Sequence, residues 1–387
     1  MDTKYMENIK NLLNQVADLN KKNEEILDAT GGRFNIFRVC GVNHYENTHS
    51  AIIKEFLDPK GSHGLKEKLL DCFIEILKNE FEIINFNCGN AYVCTEHSTQ
   101  EEGRIDIFLE DNQGKVIIIE NKIYAGDQQE QLKRYNKYAK GNYGEGNYQI
   151  LYLTLDGSKA SKQSAEDIEY FPISYKETII KWLDKCVAIA TRHPMVRETI
   201  NQYINHLKSL TNQDMSTKNQ EEIVKLLCKP ENLESVFAIG DNFAEMRNYM
   251  INKVFLPKLT DVCKELKLEN ISKEEDRVNK AWLGFIIRKP SWKFFQISIA
   301  FGTLELGDLR IGVNHKEGKD VSDNEAFQFL IQHYAKYKNH KFWAHKNFPT
   351  YSYWGKDAML AILSGDMSKI FKDEIEKILE LTKDLDM

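Results

Sequence analysis

The sequence contains no long hydrophobic run. No window of its 387 residues approaches roughly 18 consecutive apolar residues, so no transmembrane helix is predicted. Residues 1–15 carry acidic side chains and lack an apolar signal core, which argues against secretion. Proline is scarce, with 7 residues, and no internal repeat is visible, which excludes collagen-like and proline-rich architectures. The length predicts a globular protein of about two or three domains.

A disulfide framework and an excess of positive charge are also missing. The seven cysteines are scattered and odd in number, which favours a reduced, cytoplasmic compartment. The 52 basic residues are outnumbered by 58 acidic residues, so the formal net charge is −6. A basic surface covering the whole protein is therefore excluded, and any surface for nucleic acid must be local.

Hydrophobic periodicity predicts an α/β domain over residues 1–212, followed by an α+β domain over 213–387. The polar segment 211–220 is the predicted linker between them. In the first domain the predicted helices are 5–28, 44–57, 65–79, 125–140, 175–190 and 195–210, and the predicted strands are 104–110, 115–123, 148–155 and 170–174. In the second domain strands are predicted at 282–288, 294–301 and 308–314, and helices at 323–337 and 357–385.

A predicted β-hairpin carries the residues with the clearest chemistry. The turn at 111–114 places Asp106 opposite position 119 or 120, so Asp106 and Glu120 should face each other across neighbouring strands. Lys122 lies two residues after Glu120 and therefore on the same face. Two close carboxylates repel unless a cation lies between them, and Mg²⁺ prefers such hard oxygen ligands. The pattern indicates metal-assisted phosphodiester hydrolysis, and the alternative is an exposed hairpin with solvated charges.

The helix that follows the hairpin presents polar groups towards the same end of the sheet. Gln128, Gln131 and Tyr135 have the spacing of one helical face. Their amide and phenol groups could reach the substrate or metal-bound waters, or they could form an ordinary solvated face.

In these motifs the sequence resembles the PD-(D/E)XK nuclease superfamily. The matching elements are Arg104-Ile105-Asp106, Glu120-Asn121-Lys122 and Gln131-x3-Tyr135, the last similar to the QxxxY motif of the RecB-like branch. Ile105 stands where the family motif has proline. Upstream, three short elements resemble an uncharacterised prokaryotic branch: Glu46-x2-His49-Ser50, Leu57-Asp58-Pro59 and His63-Gly64. The resemblance covers about residues 35–210.

The resemblance implies a restriction-endonuclease-like fold, with a four-stranded mixed sheet flanked by helices. It implies that Asp106, Glu120 and the carbonyl of Asn121 bind Mg²⁺, or alternatively Mn²⁺, and that Lys122 orients or activates the attacking water. Gln131 and Tyr135 would belong to the same catalytic site. It further implies cleavage of DNA and a role in defence against foreign DNA. The alternative is an inactive nucleic-acid-binding or effector-binding module with a nuclease-like fold.

The resemblance matches Glu46 to a helical glutamate that supports the metal. Alternatively, Asn43-x2-Glu46 is a capping box at the start of a helix. His49, one turn later, could line the site or pack against neighbouring elements.

One acid-free segment, residues 326–356, is the predicted local surface for nucleic acid. It combines lysines, which neutralise phosphates, with aromatic rings, which stack on bases. The alternative is an aromatic core element with solvated lysines. The sequence leaves open the choice of DNA or RNA, internal or terminal cleavage, the protein partners, and whether the chain forms a homo-oligomer. The candidate contacts are Lys336, Lys338, Lys341, Trp343 and Lys346.

Overall fold

In the computed structural model, residues 3–99 and 103–387 are described, with side chains from residue 5 onwards. They fold as two compact units, Met1–Asn232 and Leu233–Met387. No helix in the described part of the chain combines the length and apolarity needed to cross a membrane. The predicted domain boundary at residue 212 stays a prediction.

The first unit is built on a mixed sheet of five strands in the order β1-β2-β3-β4-β5. The first three strands pair antiparallel, and β3, β4 and β5 pair parallel. The α/β class predicted for this domain is confirmed, but the implied number of four strands is wrong. The strands are β1 (Tyr92–Ser98), β2 (Arg104–Glu110), β3 (Val116–Asn121), β4 (Tyr148–Thr154) and β5 (Phe171–Ser174).

The helices of the first unit cover both faces of this sheet. Ile117 and Ile119 of β3 pack in the larger core, and Val116 and Ile118 pack in a smaller core on the other face. Because successive side chains alternate between faces, Glu120 lies on the face of the smaller core. The helices are α1 (Thr3–Thr30), α2 (Ile36–Val39), α3 (Glu46–Leu57), α4 (Lys68–Glu80), α5 (Gln131–Tyr143), α6 (Lys162–Ala165), α7 (Ile180–Ile189), α8 (Pro194–Leu210) and α9 (Met215–Leu227); a π-helical turn, Tyr175–Ile179, precedes α7.

The turn between β2 and β3 sets the register that the site depends on. The carboxylate of Asp111 accepts hydrogen bonds from the N–H groups of Gln113 and Lys115, both at 2.8 Å. The ladder that follows pairs Ile107 with Ile119, so that position 106 falls opposite position 120.

Most of the predicted linker is helical. Residues 215–220 belong to α9, because the Asp214 side chain accepts the N–H of Thr217 at 2.9 Å and caps the helix. A polar segment can thus be a helix start, and its role as the linker between the domains stays a prediction.

The second unit contains a five-stranded antiparallel sheet in the order β10-β9-β8-β7-β6. The predicted closing helix 357–385 is divided at Gly365, whose φ of +89° ends one helix before the next begins. The strands are β6 (Glu269–Asn270), β7 (Leu283–Arg288), β8 (Phe295–Thr303), β9 (Gly307–His315) and β10 (Trp343–Asn347). The helices are α10 (Pro230–Asp241), α11 (Phe243–Tyr249), α12 (Leu256–Glu265), α13 (Glu325–His333), α14 (Lys356–Ser364) and α15 (Asp366–Leu381). The boundary between the two units falls within α10.

Candidate active site

Asp106 and Glu120 lie at the ends of adjacent strands β2 and β3. Asp106 is half-buried, and its Oδ2 accepts the backbone N–H of Asn121 at 2.7 Å. Glu120 is fully buried, with 0% of its surface exposed. The two acidic side chains therefore occupy the neighbouring positions that the hairpin register predicts.

The two oxygens of the Glu120 carboxyl group have different surroundings. Oε1 accepts hydrogen bonds from Lys122 Nζ and from Gln131 Nε2, both at 2.6 Å. Oε2 is buried and has no hydrogen-bond partner among the described residues. An unpartnered buried carboxylate oxygen is costly, which makes Oε2 the atom of this group that is available to a cation.

Burial also dominates the ionisation of this cluster. Burial and then the nearby charge of Asp106 raise the pKa of Glu120 to about 8. Burial likewise raises the pKa of Asp106, although its hydrogen bond from Asn121 opposes the shift. Burial alone would lower the pKa of Lys122, but the charge and hydrogen bond of Glu120, together with the charges of Asp106 and Glu46, outweigh burial and the pKa is raised. The lysine is therefore held as a cation beside two carboxyl groups.

Gln131 and Tyr135 of α5 hold the Glu120 side chain from the other side. Besides its contact with Glu120, Gln131 Nε2 lies 3.2 Å from the Tyr135 hydroxyl. That hydroxyl donates to the carbonyl of Arg104 on β2 at 2.5 Å. Both side chains are buried, so the alternative of a solvated polar face is wrong for this pair. They connect α5 to both strands that carry the carboxylates.

Asn121 joins the sheet to α3 through its side chain. Its Nδ2 donates to Ser50 Oγ at 3.0 Å and to the Glu46 carbonyl at 3.1 Å. Its Oδ1 accepts from the Tyr175 hydroxyl at 2.8 Å. The side chain is thus fully engaged in positioning the strand end, which leaves its backbone carbonyl as the group proposed for metal binding.

Glu46 accepts backbone hydrogen bonds from the segment that follows β3. Its Oε1 accepts the N–H of Ile123 at 2.7 Å and that of Ala125 at 3.2 Å. The capping-box alternative is wrong, because α3 has Tyr45 at its N-cap position and no side-chain cap. Glu46 therefore fixes the backbone immediately after Lys122.

His49 is a packing residue in this structure. It is completely buried, accepts from the Tyr203 hydroxyl through Nδ1 (2.8 Å) and donates from Nε2 to the Asn43 carbonyl (3.0 Å). Burial lowers its pKa to about 4. Both ring nitrogens are occupied, so neither is available for catalysis.

Lowering the pH should destabilise the protein through His49. Because its pKa is lower in the folded than in the unfolded chain, the unfolded state binds the extra proton first, and stability is lost as the pH falls from about 6.5 towards about 4. We expect the free energy of unfolding to drop by about 1–2 kcal/mol between pH 7 and pH 5 from this residue. Denaturant unfolding of wild type and His49→Gln at both pH values tests this. An equal pH dependence in the two proteins would contradict it.

The donor set fits a hard divalent cation. No group of three or more His, Cys, Asp or Glu side chains is arranged to hold a metal within residues 3–99 and 103–387. Two carboxylates with a buried unpartnered oxygen can serve Mg²⁺ nonetheless, because Mg²⁺ is usually held by one or two carboxylates and keeps several waters.

The candidate nucleic-acid contacts of the second unit divide into two groups. Lys336, Lys338 and Lys341 are exposed, and Lys341 Nζ lies 3.2 Å from an Asp320 oxygen. Trp343 is buried, with 7% of its surface exposed, so its ring is unavailable for base stacking and the prediction for it is wrong. Its position on a strand of the core sheet explains the burial.

Lys346 is occupied by intramolecular contacts. Its Nζ lies 3.4 Å from Glu374 Oε2 and 4.7 Å from the centre of the Tyr334 ring. Binding of nucleic acid by the lysines of this segment stays a prediction.

Ser50 and Tyr175 are the positioning residues that the sequence analysis missed. Ser50 stands in the upstream motif without a role of its own, and Tyr175 follows β5, 54 residues after Asn121. A hydroxyl so distant in the chain gives no local signal that it contacts the site.

Comparison with protein families gives a finding that does not depend on the geometry of the site. Residues 34–205 match the family model described as PD-(D/E)XK nuclease superfamily. The matched range is a little under half of the chain. No curated protein and no solved structure matches the chain significantly. The match does not extend to a branch, so the RecB-like assignment stays a prediction. Over residues 34–205, the chain is therefore similar to the PD-(D/E)XK nuclease superfamily.

Proposed function

We propose that the first unit is a Mg²⁺-dependent nuclease that hydrolyses phosphodiester bonds of DNA. The observation that carries the proposal is the buried Glu120 carboxyl group, whose Oε2 lacks a partner while Lys122 Nζ contacts Oε1. A purely structural ion pair has no need for an unsatisfied oxygen in a dry site. A site that receives a cation and a phosphate does need an oxygen that is free to bind the cation.

Each residue has a distinct role in this proposal. Asp106, Glu120 and the Asn121 carbonyl would hold the cation, and Gln131 keeps the Glu120 side chain oriented. When bound, Mg²⁺ supplies positive charge for the scissile phosphate and lowers the pKa of the attacking water. Lys122 donates hydrogen bonds to that water or to a phosphate oxygen, where it stabilises developing negative charge. Glu46 keeps the backbone after Lys122 in place.

Incubation of the purified full chain with linear and circular DNA tests the proposal. We expect cleavage with Mg²⁺ or Mn²⁺ and none with EDTA, and Asp106→Asn should lose at least about 100-fold in rate, since a metal-binding charge is removed. Glu110→Asn is the control for removal of an acidic side chain, because Glu110 lies at the other end of β2 from Asp106. Binding of DNA without cleavage would favour the inactive module instead. The role in defence against foreign DNA stays a prediction.

The exposed lysines of the second unit should contribute to DNA affinity. Changing Lys336, Lys338 and Lys341 to alanine should weaken binding at low salt and flatten the dependence of log K on log salt by up to about 0.9 per lost phosphate contact. A matched control removes three exposed lysines elsewhere in the unit: Lys280, Lys293 and Lys369. Equal affinity and equal salt slope for the two triple variants would assign the segment to packing.

A further inference from the structure

The first unit contains a cavity that no residue of the carboxylate cluster lines. Its volume is about 770 Å³, and it lies between the C-terminal part of α1, the α2 region, the end of α8 and the start of α9. One part of its wall is apolar, with Leu27, Leu210 and Met215. A cavity of this size can hold a ligand much larger than a single ion.

The remainder of the wall is positively charged. Arg38, Lys208 and Lys218 line the cavity, and none of them forms an ion pair within the described chain. Of the described lining residues, Asp214 alone is acidic, and its carboxylate is engaged as the cap of α9. The charge balance therefore favours an anionic ligand.

A buried histidine, one of whose ring nitrogens has no hydrogen-bond partner among the described residues, also lines this cavity. His206 is 7% exposed, and its Nε2 makes no hydrogen bond in the described structure. The ring stacks on His49, with centroids 5.6 Å apart and planes at 10°. Buried polar atoms are normally satisfied, so Nε2 indicates a hydrogen-bonding group that the protein itself does not supply.

We propose that this cavity binds a nucleoside phosphate. Its phosphate would be neutralised by Arg38 and Lys208, and its base would pack against Leu27 and Met215. His206 Nε2 would form a hydrogen bond to the ligand. The same chemistry is offered by a free nucleotide and by the phosphorylated end of a nucleic-acid strand.

Calorimetric titration of the full chain in EDTA tests the proposal without requiring cleavage. The probes are ATP, adenosine, and a ten-nucleotide DNA strand with either a 5′-phosphate or a 5′-hydroxyl. We expect ATP, the phosphorylated strand or both to bind at least about 10-fold more tightly than the matching phosphate-free probe, since charge-assisted hydrogen bonds are lost without the phosphate. Binding of ATP would identify the ligand as a free nucleotide, and binding of the phosphorylated strand would identify it as the end of a nucleic-acid strand.

Variants connect that binding to the cavity. Arg38→Ala with Lys208→Ala should weaken binding at least about 10-fold, whereas Lys159→Ala with Arg192→Ala, an equal loss of positive charge outside the cavity, should not. His206→Phe, which keeps a ring against His49, should also weaken it. Equal affinity with and without phosphate, or equal effects of the two double variants, would overturn the proposal. The nuclease proposal would survive either result, because neither metal nor cleavage enters the measurement.

Discussion

Glu120→Gln should abolish metal-dependent cleavage, with a fall of at least about 1,000-fold in rate. The substitution removes the most buried carboxyl group of the site, which must ionise to bind a cation, and makes the atom at the Oε2 position a neutral donor or acceptor. Loss of a metal-binding charge removes both cation affinity and the stabilisation of charge in the transition state. Cleavage rates and Mn²⁺ binding by calorimetry should fall together.

Glu110→Gln is the matched control, because Glu110 lies on β2 and is half-buried, but pairs with Val116 at the other end of the hairpin. It should leave both measurements unchanged. The Gln side chain keeps the shape of Glu120 and an oxygen that can accept from Lys122 and Gln131, so the folded state should persist, and circular dichroism checks it. Folded protein with full Mn²⁺ binding would exclude Glu120 as a metal ligand.

Lys122→Ala should lose cleavage by at least about 100-fold while retaining Mn²⁺ binding. Its ammonium contacts Glu120 Oε1 rather than the unpartnered Oε2, so its removal leaves the proposed ligand atom in place. What is lost is the hydrogen-bond donor and positive charge for water or phosphate. Loss of cleavage without loss of Mn²⁺ binding therefore distinguishes the role of Lys122 from that of Glu120.

Lys159→Ala serves as the control for loss of an exposed lysine from the same unit. Lys122→Arg is informative as well, since it keeps the charge but replaces a compact ammonium by a planar guanidinium. Wild-type cleavage in Lys122→Ala would remove Lys122 from the mechanism. Loss of Mn²⁺ binding would instead show that its role is to keep Glu120 in place.

The short-range features of the site could be predicted from the sequence. Period-two alternation and the turn at 111–114 specify which strand positions pair, and a hairpin leaves little freedom in register. The apposition of positions 106 and 120 therefore follows from local rules. Lys122 was expected on the face of Glu120 for the same reason, and its ammonium contacts that carboxyl group. The helical spacing of Gln131 and Tyr135 likewise places both side chains on one face of α5.

Sequence patterns predicted less well the roles of side chains that can form either of two kinds of contact. The Glu46 carboxylate was compatible with a capping box, but packing of α3 beside the end of β3 made other backbone N–H groups available to it. Trp343 was compatible with a base-stacking role, but pairing of β10 with β9 placed it in a buried strand. In both cases the competing partner lies far away in the sequence.

The sequence by itself determined the α/β class, the hairpin that carries Asp106 and Glu120, and the family motifs around them, since these depend on neighbouring residues. Only the tertiary structure decided that Glu120 is fully buried with one unpartnered oxygen, and that Tyr175 orients Asn121. Burial and long-range hydrogen bonds arise when distant elements pack and exclude water. The ionisation and metal-binding capacity of the same carboxyl group depend on that exclusion, which no local pattern encodes.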